Sequence, residues 1–176
     1  MKIDKQPVLK PQDLFVVMKI AVNRGRSFML QQLAEELRMP LSSVHGSIRR
    51  GENARLLSRS AGSVRAVRSS VSEFVIHGAR YAFPAQLGST TRGMPTSIGA
   101  PVLAVHFEGA DVLSPVWPDP VGTTYGQSLL PIHPSVPAAA KTDLSLYEAL
   151  ALLDALRMGA ARERELATQE LQERLT

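Results

Sequence analysis

Ser42, Ser43, His45 and Arg49 fall together on one side of a short helical pattern, within a side chain's reach of a common surface. Hydroxyl, imidazole and guanidinium groups at this spacing can read donors and acceptors on another molecule. Bond-making chemistry ordinarily needs a carboxylate beside such groups as well, and no carboxylate cluster neighbours them. The four histidines, His45, His77, His106 and His133, form no i, i+4 pair, and there is no cysteine, so a metal site lacks support. The chain contains no G-x-S-x-G, Walker A or G-x-G-x-x-G run. Gly122-Thr123-Thr124-Tyr125-Gly126 opens no helical pattern and reads as a loop. These absences argue against an enzyme, and no cofactor is expected.

The element that must hold the recognition residues is the second of two short helices. Leu30, Leu33, Ala34 and Leu37 recur at i, i+3, i+4 and i+7, the apolar stripe of a first helix. Arg38-Met39-Pro40 interrupts it, because proline disfavours helical geometry before itself yet suits the start of a new helix. Val44 and Ile48 then fix the second helix to the first and leave the polar side outward. Upstream, the run from Pro11 to Asn23 predicts a supporting helix with Leu14, Val17, Met18 and Ala21 inward. Gly25 reads as its stop signal, and Arg24 and Arg26 lie in its exit loop, where a phosphate backbone or plain solvent could meet them. Downstream, Arg55–Ser58 and Val64–Arg68 flank a small-residue turn at Ser60–Ser63 and predict a β-hairpin.

Helix, tight helical pair and hairpin in this order resemble the winged helix-turn-helix DNA-binding proteins of bacterial transcriptional-regulator type, over about residues 11–69. Ala34 fills the small position that lets the second helix approach. The resemblance implies double-stranded DNA as partner, with Ser42, Ser43, His45 and Arg49 over base edges. It places Arg50, Arg55, Arg59, Arg65 and Arg68 on phosphate, and it implies a two-fold dimer. One departure stands at Arg38, where the tight turn ordinarily carries glycine. A left-handed Arg38 costs roughly 1–2 kcal/mol, or the turn is of another type.

The charge agrees with that division of labour. Residues 1–80 hold 14 Lys/Arg against 6 Asp/Glu, and residues 81–176 hold 6 against 10, within an overall net charge of +4. Positive charge on the half with the helical pair is the footprint of a phosphate-binding surface. MKIDKQPVLK has no apolar leader core, and no apolar run approaches the ~18 residues of a membrane span. A cytoplasmic protein without membrane contact is expected.

Fold class reads as mainly α with a small β-hairpin wing, followed by an extended arm and C-terminal helices. The spans are a winged-helix domain over 11–83, a Pro/Gly-rich arm over 84–142 and a helical segment over 143–176. Within the first, Ser70-Val71-Ser72-Glu73 predicts a capped helix to about Gly78, with Tyr81 and Phe83 packing beyond it and His77 packed and hydrogen-bonded. The arm carries nine of the twelve prolines, which argues against long helices and central strands. Val102–Phe107 is its one strand candidate, and Val112, Leu113, Val116 and Trp117 are its anchors. Ser145–Glu148 predicts a cap for a helix to about Met158 that is apolar all round, with Asp154 and Arg157 paired on its polar edge. Such a helix needs cover on every side. A second chain is expected to supply it through Leu146, Leu150 and Leu153, making a homodimer. The last helix, Ala160–Leu175, shows a charged face with Glu170 and Arg174 at i, i+4. The function expected is sequence-specific DNA binding by a dimeric transcriptional regulator. The alternative is an antitoxin-like or defence-associated adaptor that binds its own promoter, and a protein partner through the arm and C-terminal helices.

Overall fold

The computed structural model describes residues 7–107 and 113–176. Helix α1, Pro11–Val22, starts where Pro11 pre-sets the first turn and Asp13 Oδ2 accepts the Lys10 N–H at 2.7 Å. Every residue from Asp13 to Ala21 is buried. The helix is a central strut, then, and not the one-sided support that its apolar stripe predicts. Helix α2, Leu30–Leu37, packs on α3, Leu41–Asn53, and α3 packs on α1. Leu33, Ala34, Leu37, Val44 and Ile48 are all buried at these contacts.

Between α2 and α3, Arg38 is left-handed at φ 55°, ψ 41°. Its N–H bonds the Glu35 carbonyl at 3.2 Å, and the Met39 N–H bonds that of Ala34 at 3.0 Å. This is a Schellman ending, which glycine ordinarily serves. The turn keeps its tight form and the arginine carries the strain.

Strands β1, Leu57–Ser60, and β2, Ser63–Ala66, pair antiparallel with Leu57 opposite Ala66. Ala61 (φ 49°) and Gly62 (φ 79°) join them, and positive φ at both central residues is what a type I′ hairpin turn requires. The hairpin lies slightly off its expected register along the chain: Arg55 and Arg68 fall outside both strands. The next helical run begins at Arg68, two residues ahead of the Ser70 capping box. It comprises α4, Arg68–Glu73, a π-helical turn over Phe74–Gly78, and α5, Ala79–Ala82. Phe83 packs as expected, but Tyr81 and His77 are exposed, so the packed setting read for His77 is corrected. The stacked histidine is His133, half-buried with its ring 5.6 Å from that of Phe15.

The described residues of 84–142 do not form an extended arm. Strands β3, Leu87–Pro95, β4, Pro115–Pro118, and β5, Thr124–Leu129, each pair with the other two; β3 runs antiparallel to both, and β4 parallel to β5. Proline is compatible with this sheet because Pro95, Pro115 and Pro118 stand at strand ends. Glycine closes it: a β-carbon on Gly93 would strike the Trp117 carbonyl, and one on Gly126 that of Ser114. The strand read over Val102–Phe107 is instead helix α6, Pro101–Ala104, and the turn after it, because Pro101 starts a helix at its first position. The Gly122–Gly126 loop runs into β5. Val116 and Trp117 are buried anchors, whereas Leu113 is exposed and Val112 lies outside the described residues.

After the short α7, Val136–Ala140, comes α8, Leu144–Met158. Its cap is Asp143, whose Oδ1 accepts the Leu146 N–H at 3.0 Å, and not the Ser145–Glu148 pair. Helix α8 is packed against α1, α5, α6, α7 and α9, Ala161–Leu175. Leu146, Leu150 and Leu153 are 0%, 1% and 0% exposed within this single chain. The dimer seam assigned to them is therefore corrected: folding of residues 84–142 and the central position of α1 supply the cover that a second chain was expected to give. One continuous core draws on all three expected spans.

Candidate nucleic-acid interface

Helix α3 is anchored on one side and open on the other. Val44, Ser47, Ile48 and Gly51 face inward, and Gln12 Nε2 donates to Ser47 Oγ at 3.3 Å. Gly51 lets β1 cross closely, since a β-carbon there would lie 2.8 Å from Leu57 Cδ1. Outward along one line stand Ser42, His45 and Arg49, all exposed, with Ser43 half-buried at the edge. No carboxylate pairs with Arg49 among the described residues. Its guanidinium stays available for a bidentate contact of the kind that reads guanine.

Arg50 is the contrasting neighbour. Its Nε and Nη2 donate to both oxygens of the fully buried Asp13, each at 2.7 Å. Those bonds outweigh burial and raise its pKa above the ordinary arginine value. The phosphate contact assigned to Arg50 gives way to a structural role, because releasing it would strand a buried carboxylate.

The remaining arginines divide. Arg59 Nε donates to Glu52 of α3 at 3.0 Å, which ties the hairpin to that helix. Arg55 is exposed in the loop before β1, itself at φ 59°. Arg65 and Arg68 line a cleft of about 550 Å³ between β2, the start of α4 and the loop after α1. Arg24 and Arg26 line its other wall. The exposed Arg38, one turn before α3, was not among the residues expected on DNA, though its departure from glycine was the available signal.

No helix among the described residues is long and apolar enough to cross a membrane, and none of their His, Cys, Asp or Glu side chains group to hold a metal. No family model matches the chain, and no curated protein or solved structure matches it.

Proposed function

We propose that the chain binds double-stranded DNA sequence-specifically as a winged helix-turn-helix protein and regulates transcription by occupying its site. What supports the reading above all is the exposed line Ser42, His45 and Arg49 on a helix whose other face is anchored, followed at once by an arginine-bearing hairpin. In this reading α3 enters the major groove, with the hydroxyls and imidazole against base edges and Arg49 on guanine. Arg55, Arg59, Arg65 and Arg68 hold phosphate, which sets the register of the helix on the duplex. Two copies bind a palindromic site and exclude or reposition polymerase; they associate through a surface other than the leucines of α8.

Selection from random duplexes tests this directly. A defined motif should be enriched, and Arg49→Ala should weaken binding to it by about 1–3 kcal/mol while non-specific binding persists. Enrichment of no motif by the wild-type protein sinks the reading.

A second reading, the antitoxin-like or defence-associated adaptor, draws on a different observation. Val121, in the turn before β5, and Tyr125, within β5, are 75% and 62% exposed. Large exposed apolar residues on one part of the surface suit a protein partner. A partner that co-purifies with wild-type protein and is lost with Tyr125→Asp, but kept with Arg49→Ala, favours the adaptor.

A further inference from the structure

The cleft beside β2 is built from three chain segments that each deliver arginine. Arg24 and Arg26 come from the loop after α1, Arg65 from β2 and Arg68 from the first position of α4. No acidic residue lines it, and the hydroxyls of Ser27 and Ser69 add donors. Arg26 is already balanced, held by both oxygens of Glu36 at 2.6 and 3.2 Å. Arg24 reaches only the backbone carbonyls of Glu173 and Arg174, at 3.4 Å. Arg65 and Arg68 have no carboxylate within ion-pair distance among the described residues. Gly25, at φ 73°, makes the turn that sets Arg24 and Arg26 on the same wall.

Arg24, Arg65 and Arg68 thus line one concavity without a carboxylate partner among the described residues, and a ligand of concentrated negative charge would offset their charge. Guanidinium matches phosphate with two parallel hydrogen bonds, an advantage that carboxylate ligands share but that chloride lacks. A volume of about 550 Å³ is that of a small-molecule site. A duplex is too broad to enter it. We infer that this cleft binds a small ligand bearing two adjacent phosphate groups, held by Arg24 on one wall and Arg65 and Arg68 on the other. Binding itself does not depend on the DNA-binding reading. A regulatory consequence does rest on it: Arg65 and Arg68 are shared with the proposed phosphate contacts, so ligand and DNA must weaken each other's affinity by the same factor.

Titration calorimetry of the full chain with inorganic pyrophosphate, without DNA, tests the binding. One site per chain is expected. Arg24→Ala and Arg68→Ala, on opposite walls, should each weaken it by about tenfold or more, as loss of a charge-assisted hydrogen bond implies. Arg162→Ala, a surface arginine on α9, should leave it unchanged, and the thermal transition of each variant verifies folding. Orthophosphate should bind more weakly than pyrophosphate. The inference is overturned if pyrophosphate gives no saturable heat, or if all three variants bind it alike, which would mark general attraction to a basic surface. It is equally overturned if Arg24→Ala weakens a non-specific duplex as much as it weakens pyrophosphate, because the cleft would then seat the DNA backbone. Failure of the DNA reading would leave the pyrophosphate result standing.

Discussion

Two regions of this molecule place arginine on a helix and use it in opposite ways. On α3, Arg49 projects into solvent unpaired, in line with Ser42 and His45. On α8, the Arg157 side chain is 5% exposed and each of its nitrogens is engaged: Nη1 donates to Asp154 at 2.7 Å, Nε to the Phe83 carbonyl at 2.7 Å, and Nη2 to that of Pro84 at 3.3 Å. Asp154 Oδ2 also accepts the Trp117 indole N–H at 2.6 Å and the Thr96 hydroxyl at 2.8 Å. Burial holds the Asp154 carboxyl above its usual range, a rise that Arg157, Thr96 and Trp117 only partly offset. The cluster clasps α8 to both the three-stranded sheet and the end of α5. A buried charge network of this kind specifies one docking geometry, while a free arginine specifies nothing until a partner arrives.

The comparison breaks most visibly at Asp154. Asp154→Ala would strand Arg157 in the core and free the indole and hydroxyl donors. Removing one partner of such a pair costs about 3–5 kcal/mol, so the denaturant midpoint should fall steeply. A loss under about 1 kcal/mol would show that water reaches the cluster and that the clasp is not buried in solution.

Arg50 and Arg49 carry the same contrast within two adjacent residues. Arg50→Ala leaves Asp13 with only the Lys10 N–H, and should cost about 2–3 kcal/mol, less than Asp154→Ala because water touches Arg50. Arg49→Ala should change stability by no more than about 0.5 kcal/mol, leaving its effect to the proposed DNA contact. If the two variants are equally stable, the division between spent and free arginines fails on α3.

That division shows what could be read from the chain in advance. The helical pair and the hairpin were legible because Leu33, Ala34, Leu37, Val44 and Ile48 repeat at helical spacing and the turn residues are local signals. Asp154 and Arg157 were legible as a pair, three apart, but not as a buried one, since Thr96, Trp117 and Phe83 come from remote positions. The sheet of β3, β4 and β5 was hidden because its proline content argues against strands unless their ends are known. Its closure depends on Gly93 and Gly126 meeting carbonyls that are distant in sequence. Arg50 looked like its neighbour because Asp13 lies 37 residues away. With the sheet unread, α8 lacked cover, and a second chain was the natural substitute.

Where the two regions meet, proton binding separates their contributions. His133 stacks on Phe15 of α1, and its neighbour Ser135 donates to the Leu37 carbonyl of α2 at 2.7 Å. Burial lowers the His133 pKa. The unfolded chain therefore binds its proton first, and stability should decline as pH falls below about 6.5. Asp143 and Glu36 behave differently: burial raises each, but hydrogen bonds from Lys19, joined at Glu36 by Arg26 and at Asp143 by the Leu146 N–H and Asn23, carry both below the usual range. Their contribution is complete above about pH 4 and is lost as pH drops through the lower folded values. Stability measured against pH should show both declines, and His133→Phe should remove the upper one alone. Persistence of the upper decline in that variant would assign it to another group.

The smallest effect sharpens the comparison at Arg38, a strained and exposed arginine between α2 and α3. Left-handed geometry costs a residue with a side chain roughly 1–2 kcal/mol, and glycine escapes it. The two backbone bonds of the Schellman ending need no side chain and survive the change. Glycine also loses more freedom on folding, so the net gain from Arg38→Gly is about 0.5–1 kcal/mol. The rise in midpoint should come with unchanged cooperativity, because no packed atom is removed. If Arg38 is there only as a tolerated defect, DNA affinity and its salt dependence stay as they were. If it meets phosphate beside α3, the slope of log K against log salt should flatten by about 0.9, the release of one counterion contact. A stabilised protein with a flattened slope would place Arg38 with Arg49, strained for the sake of a free charge. A protein that loses stability on gaining glycine would instead show that the Arg38 side chain makes a contact worth more than the strain it bears.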